Sequence, residues 1–116
     1  MIYSLKYTDN MPDWQGGYSR AWMIRIRPKY RDDAGILEHE KIHVNYFWIT
    51  LGLHGLLYLC VKKYRLWSEL KAYREQLKYP PANGSDEYRR DYACAIATNY
   101  GLDVSEEEIY KMLIND

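Results

Sequence analysis

Residues Ile36–His43 have the sequence Ile-Leu-Glu-His-Glu-Lys-Ile-His and contain two of the three histidines of the chain. His39 and His43 are four residues apart, so on a helix they project from one face about one turn apart. That spacing suits two ligands of a single metal ion, and Glu40 lies at the rim of the same face. A carboxylate there can reach a metal-bound water without displacing it, as the general base of a zinc hydrolase does. The alternative is an ordinary helix with two partly exposed histidines.

The identity of a third ligand decides between these interpretations, because a catalytic zinc is held by three protein side chains. A metzincin would carry another histidine six residues after His43, where this chain has Ile49. Two candidates remain downstream, namely His54 and a carboxylate within residues 66–79.

A helical hairpin would bring one of these candidates to the histidines. If the motif helix spans residues 33–51, the glycines of residues 52–55 allow a turn, and a second helix returns over residues 56–79. Positions equidistant from the turn then face each other, and Lys41, the centre of the motif, faces Glu69. Each arm is about 21 Å long at the rise of an α-helix, so the Glu69 carboxylate arrives level with the two imidazoles.

Glu69 is therefore predicted as the third zinc ligand beside His39 and His43. His54 would lie at the far end of the hairpin, about 17 Å from His43 by the same helical rise. Glu69 borders an apolar stripe on the second helix, so it points toward the partner helix. The stripe consists of Leu66, Leu70, Tyr73 and Leu77. The alternative for Glu69 is an interhelical ion pair with Lys41 or Arg65.

This combination of motifs resembles the gluzincin clan of zinc metallopeptidases, in which HExxH is followed at a distance by a helical glutamate. The Glu-x-x-Ala element corresponds to Glu69 to Ala72, and the resemblance is closest to the small single-domain minigluzincins. It covers about residues 18–79. It implies a Zn²⁺-dependent peptidase in which Glu40 activates a zinc-bound water. It also implies a peptide or protein substrate, bound in extended form along the free edge of the strand before the motif helix.

The chain departs from the family pattern at Tyr73. Many gluzincins place an aspartate four residues after the glutamate ligand, where it orients a ligand histidine. Tyr73 is kept as a candidate catalytic residue that can hydrogen-bond a ligand or stabilise an oxyanion, with a core aromatic role as the alternative. The small gluzincins can also be held latent by their own C-terminal segment, which here is Ile114-Asn115-Asp116.

The fold class predicted for this single domain, residues 1–116, is α+β. Alternating apolar residues in 2–8 and 18–27 predict two strands of a small antiparallel sheet. The helical hairpin with the zinc site follows, with Asp32 or Asp33 as N-cap of its first helix. Residues 86–100 form a third helix, and Ser105 starts a last short helix through residue 113.

The amino-acid composition bears on the binding partners and on the cellular compartment. The 16 basic and 16 acidic residues balance, so charge gives no argument for a nucleic-acid partner. The 13 tyrosines and 4 tryptophans predict an aromatic cleft or interface. Cys60 and Cys94 are interpreted as buried free thiols in a reducing compartment. The N-terminus lacks the features of a signal peptide, so a cytoplasmic location is expected.

Residues 44–61 contain no formally charged side chain and must be weighed as a membrane span. The segment is short for spanning and contains polar residues and glycines, so a buried hairpin tip is favoured. A membrane-surface contact and a homodimer through this apolar segment stay open. The alternative function for the whole chain is a catalytically silent or latent helical interaction module, with or without structural zinc.

Overall fold

Within residues 2–114, three short strands precede five α-helices, which confirms the predicted α+β class. The computed structural model describes residues 2–114. The strands are β1 (Ser4–Tyr7), β2 (Gly17–Arg20) and β3 (Met23–Ile26), followed by a 3₁₀ helix at Pro28–Tyr30. The helices are α1 (Ala34–Ile49), α2 (His54–Cys60), α3 (Lys62–Leu77), α4 (Asp86–Asn99) and α5 (Glu106–Ile114).

The sheet is mixed, so the prediction of an antiparallel sheet is wrong in its topology. Residues 18–27 form two strands rather than one, because the chain reverses at Ala21, whose φ is +53°. β2 pairs with β3 in antiparallel orientation, and β1 adds to the other side of β3 in parallel. The strand order β1-β3-β2 leaves β2 at an edge. The strand that immediately precedes the motif helix is therefore central and does not offer a free edge.

Helix α1 packs its apolar side on the sheet. Ile24 and Ile26 of β3 and Val44 of α1 are buried together, and Ile36 packs against them. Asp33 is the N-cap, since its Oδ1 accepts the backbone N–H of Ile36 at 3.1 Å. The cap thus marks where α1 begins, and packing on the sheet determines which face of α1 is turned to the rest of the protein.

Helix α3 lies between α1 and a second core that it forms with α4 and α5. Leu70 contributes from α3, Ile96 from α4, and Ile109 and Leu113 from α5. The predictions of α4 and α5 are confirmed, and Ser105 accepts the backbone N–H of Glu108 at 3.1 Å. Packing on both sides holds the α1–α3 pair in one relative position.

The second arm of the hairpin is broken, which the prediction of one helix over residues 56–79 missed. Val61 is extended (φ −118°, ψ 105°), and it ends α2 and begins α3. The Arg65 guanidinium donates to the carbonyls of Tyr58 and Leu59 at 3.0 and 3.2 Å. These carbonyls lose helical partners where α2 ends, so Arg65 stabilises the break.

The hairpin tip is exposed, contrary to the prediction that it is buried. Leu51 is 92% exposed and Leu59 75% exposed. Cys60 and Cys94 are also exposed rather than buried, since they lie at the end of α2 and on the outer face of α4. Within residues 2–114, no helix combines the length and the apolar character needed to cross a membrane.

The cap of α1 gives a test of the fold. Replacing Asp33 with alanine removes the acceptor for the Ile36 N–H, so Asp33→Ala should lower the free energy of unfolding by about 1 kcal/mol. Urea denaturation measures the change. Asp32→Ala, an exposed neighbouring carboxylate, is the matched control and should stay within a few tenths of a kcal/mol of wild type. Equal effects of the two substitutions would contradict the capping role.

Candidate metal centre

Three side chains from α1 and α3 converge at one buried point. His39 Nε2 lies 3.3 Å from Glu69 Oε1, and His43 Nε2 lies 3.3 Å from Glu69 Oε2. One potential ligand atom from each residue lies within 4.8 Å of the other two. Glu69 is 2% exposed, and both histidines are buried. The structure therefore brings together the three residues that the sequence predicts as metal ligands.

Hydrogen bonds at the Nδ1 atoms orient both imidazoles, and α3 supplies both partners. His39 Nδ1 lies 2.8 Å from Gln76 Oε1, and His43 Nδ1 lies 2.9 Å from Ser68 Oγ. A carbonyl oxygen only accepts, so Gln76 requires a proton on His39 Nδ1. In the neutral ring, His39 Nε2 then presents a lone pair toward Glu69. This is the tautomer that a metal ligand needs.

The contact between Gln76 and His39 depends on a close approach of the two helices at Gly35. A Cβ atom at this position would lie 3.0 Å from Gln76 Cγ and 3.1 Å from the Gln76 carbonyl oxygen. A larger residue would push the end of α3 away from the start of α1. Glycine at position 35 thus allows Gln76 to reach the ring of His39.

The charge of Glu69 is balanced within the site. Burial alone would raise the pKa of its carboxyl group, but the His43 and His39 imidazoles outweigh burial and hold this pKa well below its usual range. Burial alone would likewise lower the pKa of His43, but the Glu69 carboxylate raises it above the ordinary histidine value. The site is therefore built around a carboxylate that requires a positive charge beside it.

Glu40 lies beside the three ligands without joining them. Its Oε2 is 3.9 Å from His39 Nε2, and the side chain is buried at the boundary of a cleft of about 940 Å³. The cleft is lined on one side by β2 and on another by Tyr58 and Leu59 of α2. Glu40 thus borders both the candidate ligand cluster and the open space of the cleft.

Tyr73 contacts the site through its ring. The ring packs edge-on against His39, with 4.3 Å between centroids, while the hydroxyl lies 3.1 Å from the hydroxyl of Tyr100. Burial, followed by the charge of Glu69, raises the pKa of Tyr73, so the phenol stays protonated. Gln76, and not Tyr73, holds the outer nitrogen of His39.

His54 lies beside the cluster, so the prediction that it is distant is wrong. Its ring centroid is 5.6 Å from that of His43, because the chain turns at residues 50–53 and α2 folds back over the site. His54 Nδ1 lies 2.6 Å from the hydroxyl of Tyr64. Burial, together with the nearby His43, lowers the pKa of His54 to about 4. Its ring is neutral at neutral pH.

Sequence reasoning also missed three partners of the ligands: Ser68, Gln76 and Tyr58. Tyr58 donates a short hydrogen bond to Glu69 Oε2. The position of Gln76 could have been predicted from the sequence, because Gln76 follows Glu69 by seven residues and so lies on the same face of α3 two turns later. The position of Tyr58 could not have been predicted from sequence spacing, since it depends on the break at Val61.

The donor set fits a divalent metal such as zinc. Two imidazole Nε2 atoms and one carboxylate are the ligand types found in catalytic zinc sites. Glu69 Oε1 is buried and has no hydrogen-bond partner within residues 2–114, although His39 Nε2 is 3.3 Å away. A bound cation would satisfy this oxygen and the lone pair of His39 together.

Comparison with protein-family models, curated proteins and solved structures finds no match for this chain. The resemblance to gluzincins therefore depends on the sequence motifs alone. The C-terminal segment that is expected to hold the protein latent includes Asn115 and Asp116, which lie outside the described residues.

Removal of the third ligand tests the metal centre. Glu69→Ala should abolish stoichiometric zinc binding, because two imidazoles alone do not form the three-ligand site. Metal analysis of protein dialysed against micromolar zinc gives the result. Glu75→Ala on the same helix removes a carboxylate that pairs with Lys78, and this control should keep one zinc per chain. Full zinc occupancy in Glu69→Ala would rule out Glu69 as a ligand.

The outer hydrogen bond to His39 gives a second test. Gln76→Ala should weaken zinc affinity by about 10-fold to 100-fold, the usual cost of losing such a partner. Gln76→Glu keeps an acceptor oxygen for His39 Nδ1 and should recover most of the affinity. Competition with a chromogenic chelator measures both variants. Equal affinities of Gln76→Ala and wild type would contradict the orienting role.

Proposed function

We propose that this chain is a zinc metallopeptidase of the gluzincin type, with His39, His43 and Glu69 as ligands and Glu40 as the general base. The observation that carries the proposal is the convergence of these three ligand atoms within 4.8 Å beside an open cleft, with the Glu40 carboxylate at its boundary. The hydrogen bonds that His39 Nδ1 and His43 Nδ1 form with Gln76 and Ser68 add support, because they leave the Nε2 atoms directed at the centre.

Glu40 has the position that proton transfer requires. A zinc ion at this site would polarise a peptide carbonyl and lower the pKa of an attacking water. The Glu40 carboxylate accepts the proton of that water and returns it to the leaving amine. Its Oε2 lies 3.9 Å from His39 Nε2, outside the proposed ligand set and beside it, which supports this role.

The cleft suits an extended peptide. β2 is an edge strand, and Gly17, Tyr18, Ser19 and Arg20 line the cleft beside the ligands. Unpaired backbone groups along such an edge can pair with a substrate strand. We therefore assign the role of substrate edge to β2, instead of the strand that directly precedes α1.

A second candidate function is a catalytically silent or latent interaction module, with or without structural zinc. The exposed apolar hairpin tip favours it, because large exposed apolar patches commonly mark contact surfaces. The side chains at this tip that are more than half exposed are Ile49, Leu51, Leu53, Leu56 and Leu59. In either role the unpaired Cys60 and Cys94 suit a reducing compartment, and we propose the cytoplasm.

The two candidates differ in the role of Glu40. Glu40→Gln should keep one zinc per chain and lower peptide hydrolysis by at least about 100-fold, because the amide cannot accept the proton. Cleavage of a fluorogenic peptide library, measured beside the metal content, gives both readouts. Glu38→Gln is the matched control on the same helix, and it should retain wild-type hydrolysis.

Three outcomes separate the candidates. Hydrolysis that disappears in Glu40→Gln while zinc stays bound supports the peptidase. Hydrolysis that survives in Glu40→Gln refutes the assigned base. Zinc binding by a wild-type protein that cleaves no member of the library favours the silent or latent module.

A further inference from the structure

A second cavity adjoins the cleft and has a different lining. Its volume is about 370 Å³, and it shares five lining residues with the cleft, namely Gln15, Gly17, His39, Glu40 and Tyr100. The walls of this side pocket are strongly aromatic. Its aromatic residues are Trp14, Tyr30, Tyr73, Tyr88, Tyr92 and Tyr100. Neither the ligand set nor the role of Glu40 uses this space.

Trp14 and Gln15, at the end of the loop of residues 9–15, line one side of the side pocket, and Arg27 anchors this loop by hydrogen bonds. The Arg27 guanidinium donates to the carbonyl of Gln15 at 2.6 Å and to that of Pro12 at 2.8 Å. It also pairs with Asp9 at 3.2 Å. Trp14, carried by this loop, packs edge-on against Tyr100, with 5.8 Å between ring centroids. Arg27 and Tyr100 thus position Trp14 at the side pocket.

The lining of the side pocket includes two carboxylate side chains. Asp33 and Glu40 line it, and no lysine or arginine within residues 2–114 does so. The Asp33 carboxylate uses only Oδ1 to cap α1. Burial, followed by the negative charge of Asp33, raises the pKa of Tyr92, so this phenol remains neutral beside the carboxylate.

We propose that the side pocket binds the long cationic side chain of an arginine or lysine in the peptide substrate. Aromatic ring faces attract a cation, and the Asp33 carboxylate adds a direct electrostatic partner. The methylene stem of the basic side chain packs on the rings. An acidic side chain would face two carboxylates, and an apolar one would desolvate them without compensation.

The position of the side pocket defines where the basic residue lies. Glu40 and His39 belong to both cavities, so a side chain in the side pocket belongs to a residue next to the scissile bond. The peptide context of this inference rests on the proposed function. The chemistry of the pocket itself follows from its aromatic and acidic walls.

Binding of small blocked amino acids tests the pocket without using catalysis. Calorimetric titration of the zinc-loaded full chain with Nα-acetyl-arginine methylamide should give an affinity about tenfold higher than that of the citrulline analogue. Citrulline has nearly the same shape as arginine but carries no charge. Binding of the citrulline or a phenylalanine analogue as tightly as arginine would overturn the proposal.

Asp33→Asn removes the negative charge at position 33 and keeps the helix cap, because asparagine caps a helix about as well as aspartate. It should lower the affinity for the arginine probe about fivefold to tenfold and leave that for citrulline unchanged. Asp32→Asn is the matched control and should behave as wild type. An unchanged preference for arginine in Asp33→Asn would refute the role of Asp33.

The same measurements distinguish failure of the pocket from failure of the proposed function. An arginine preference that depends on Asp33, in a chain that hydrolyses no peptide, supports the pocket and refutes the peptidase. Efficient hydrolysis with no preference for a basic residue beside the cleaved bond supports the peptidase and refutes the pocket.

Discussion

The meeting of a buried carboxylate with two imidazole nitrogens is the interaction on which the rest of the structure depends. Glu69 is almost fully removed from solvent, and an unpaired charge in that position is strongly destabilising. Protonation of His43 or a bound cation relieves this cost, and each acts at the same atoms. Because a metal must displace the proton, the affinity for metal should fall as pH falls. Folding of the α1–α3 pair and ligation at its centre are thus linked.

The remaining elements hold this pair in place and leave space around it. The sheet supports α1 from one side, while α4 and α5 support α3 from the other. Since β2 is an edge strand, the open cleft forms beside the ligands, and the tyrosines between α3 and α4 line the side pocket. The same packing that positions the ligands therefore also shapes both spaces in which a substrate would be recognised.

The sequence predicted the convergence of the three candidate ligands better than it predicted their surroundings, for physical reasons. Helical periodicity and hairpin symmetry were sufficient to place Glu69 opposite His39 and His43. The break at Val61 depends on a single extended residue and on Arg65, and no periodic pattern shows it. Because the break was not predicted, the prediction could not place His54 and Tyr58 beside the candidate ligands. The reversal at Ala21 was missed in the same way, because one backbone angle decides it.

Helix α3 carries Ser68, Glu69 and Gln76, so one rigid segment supplies a ligand and the orienting partners of both others. Inserting or deleting one residue just after Val61 would rotate the following part of the helix by about 100°. All three side chains would turn away at once. Insertions or deletions in the turn between α3 and α4 come after these positions in the chain, so they do not change the directions in which the three side chains project from α3. Natural variants of this chain should therefore differ in length after residue 77 and keep the spacing before it.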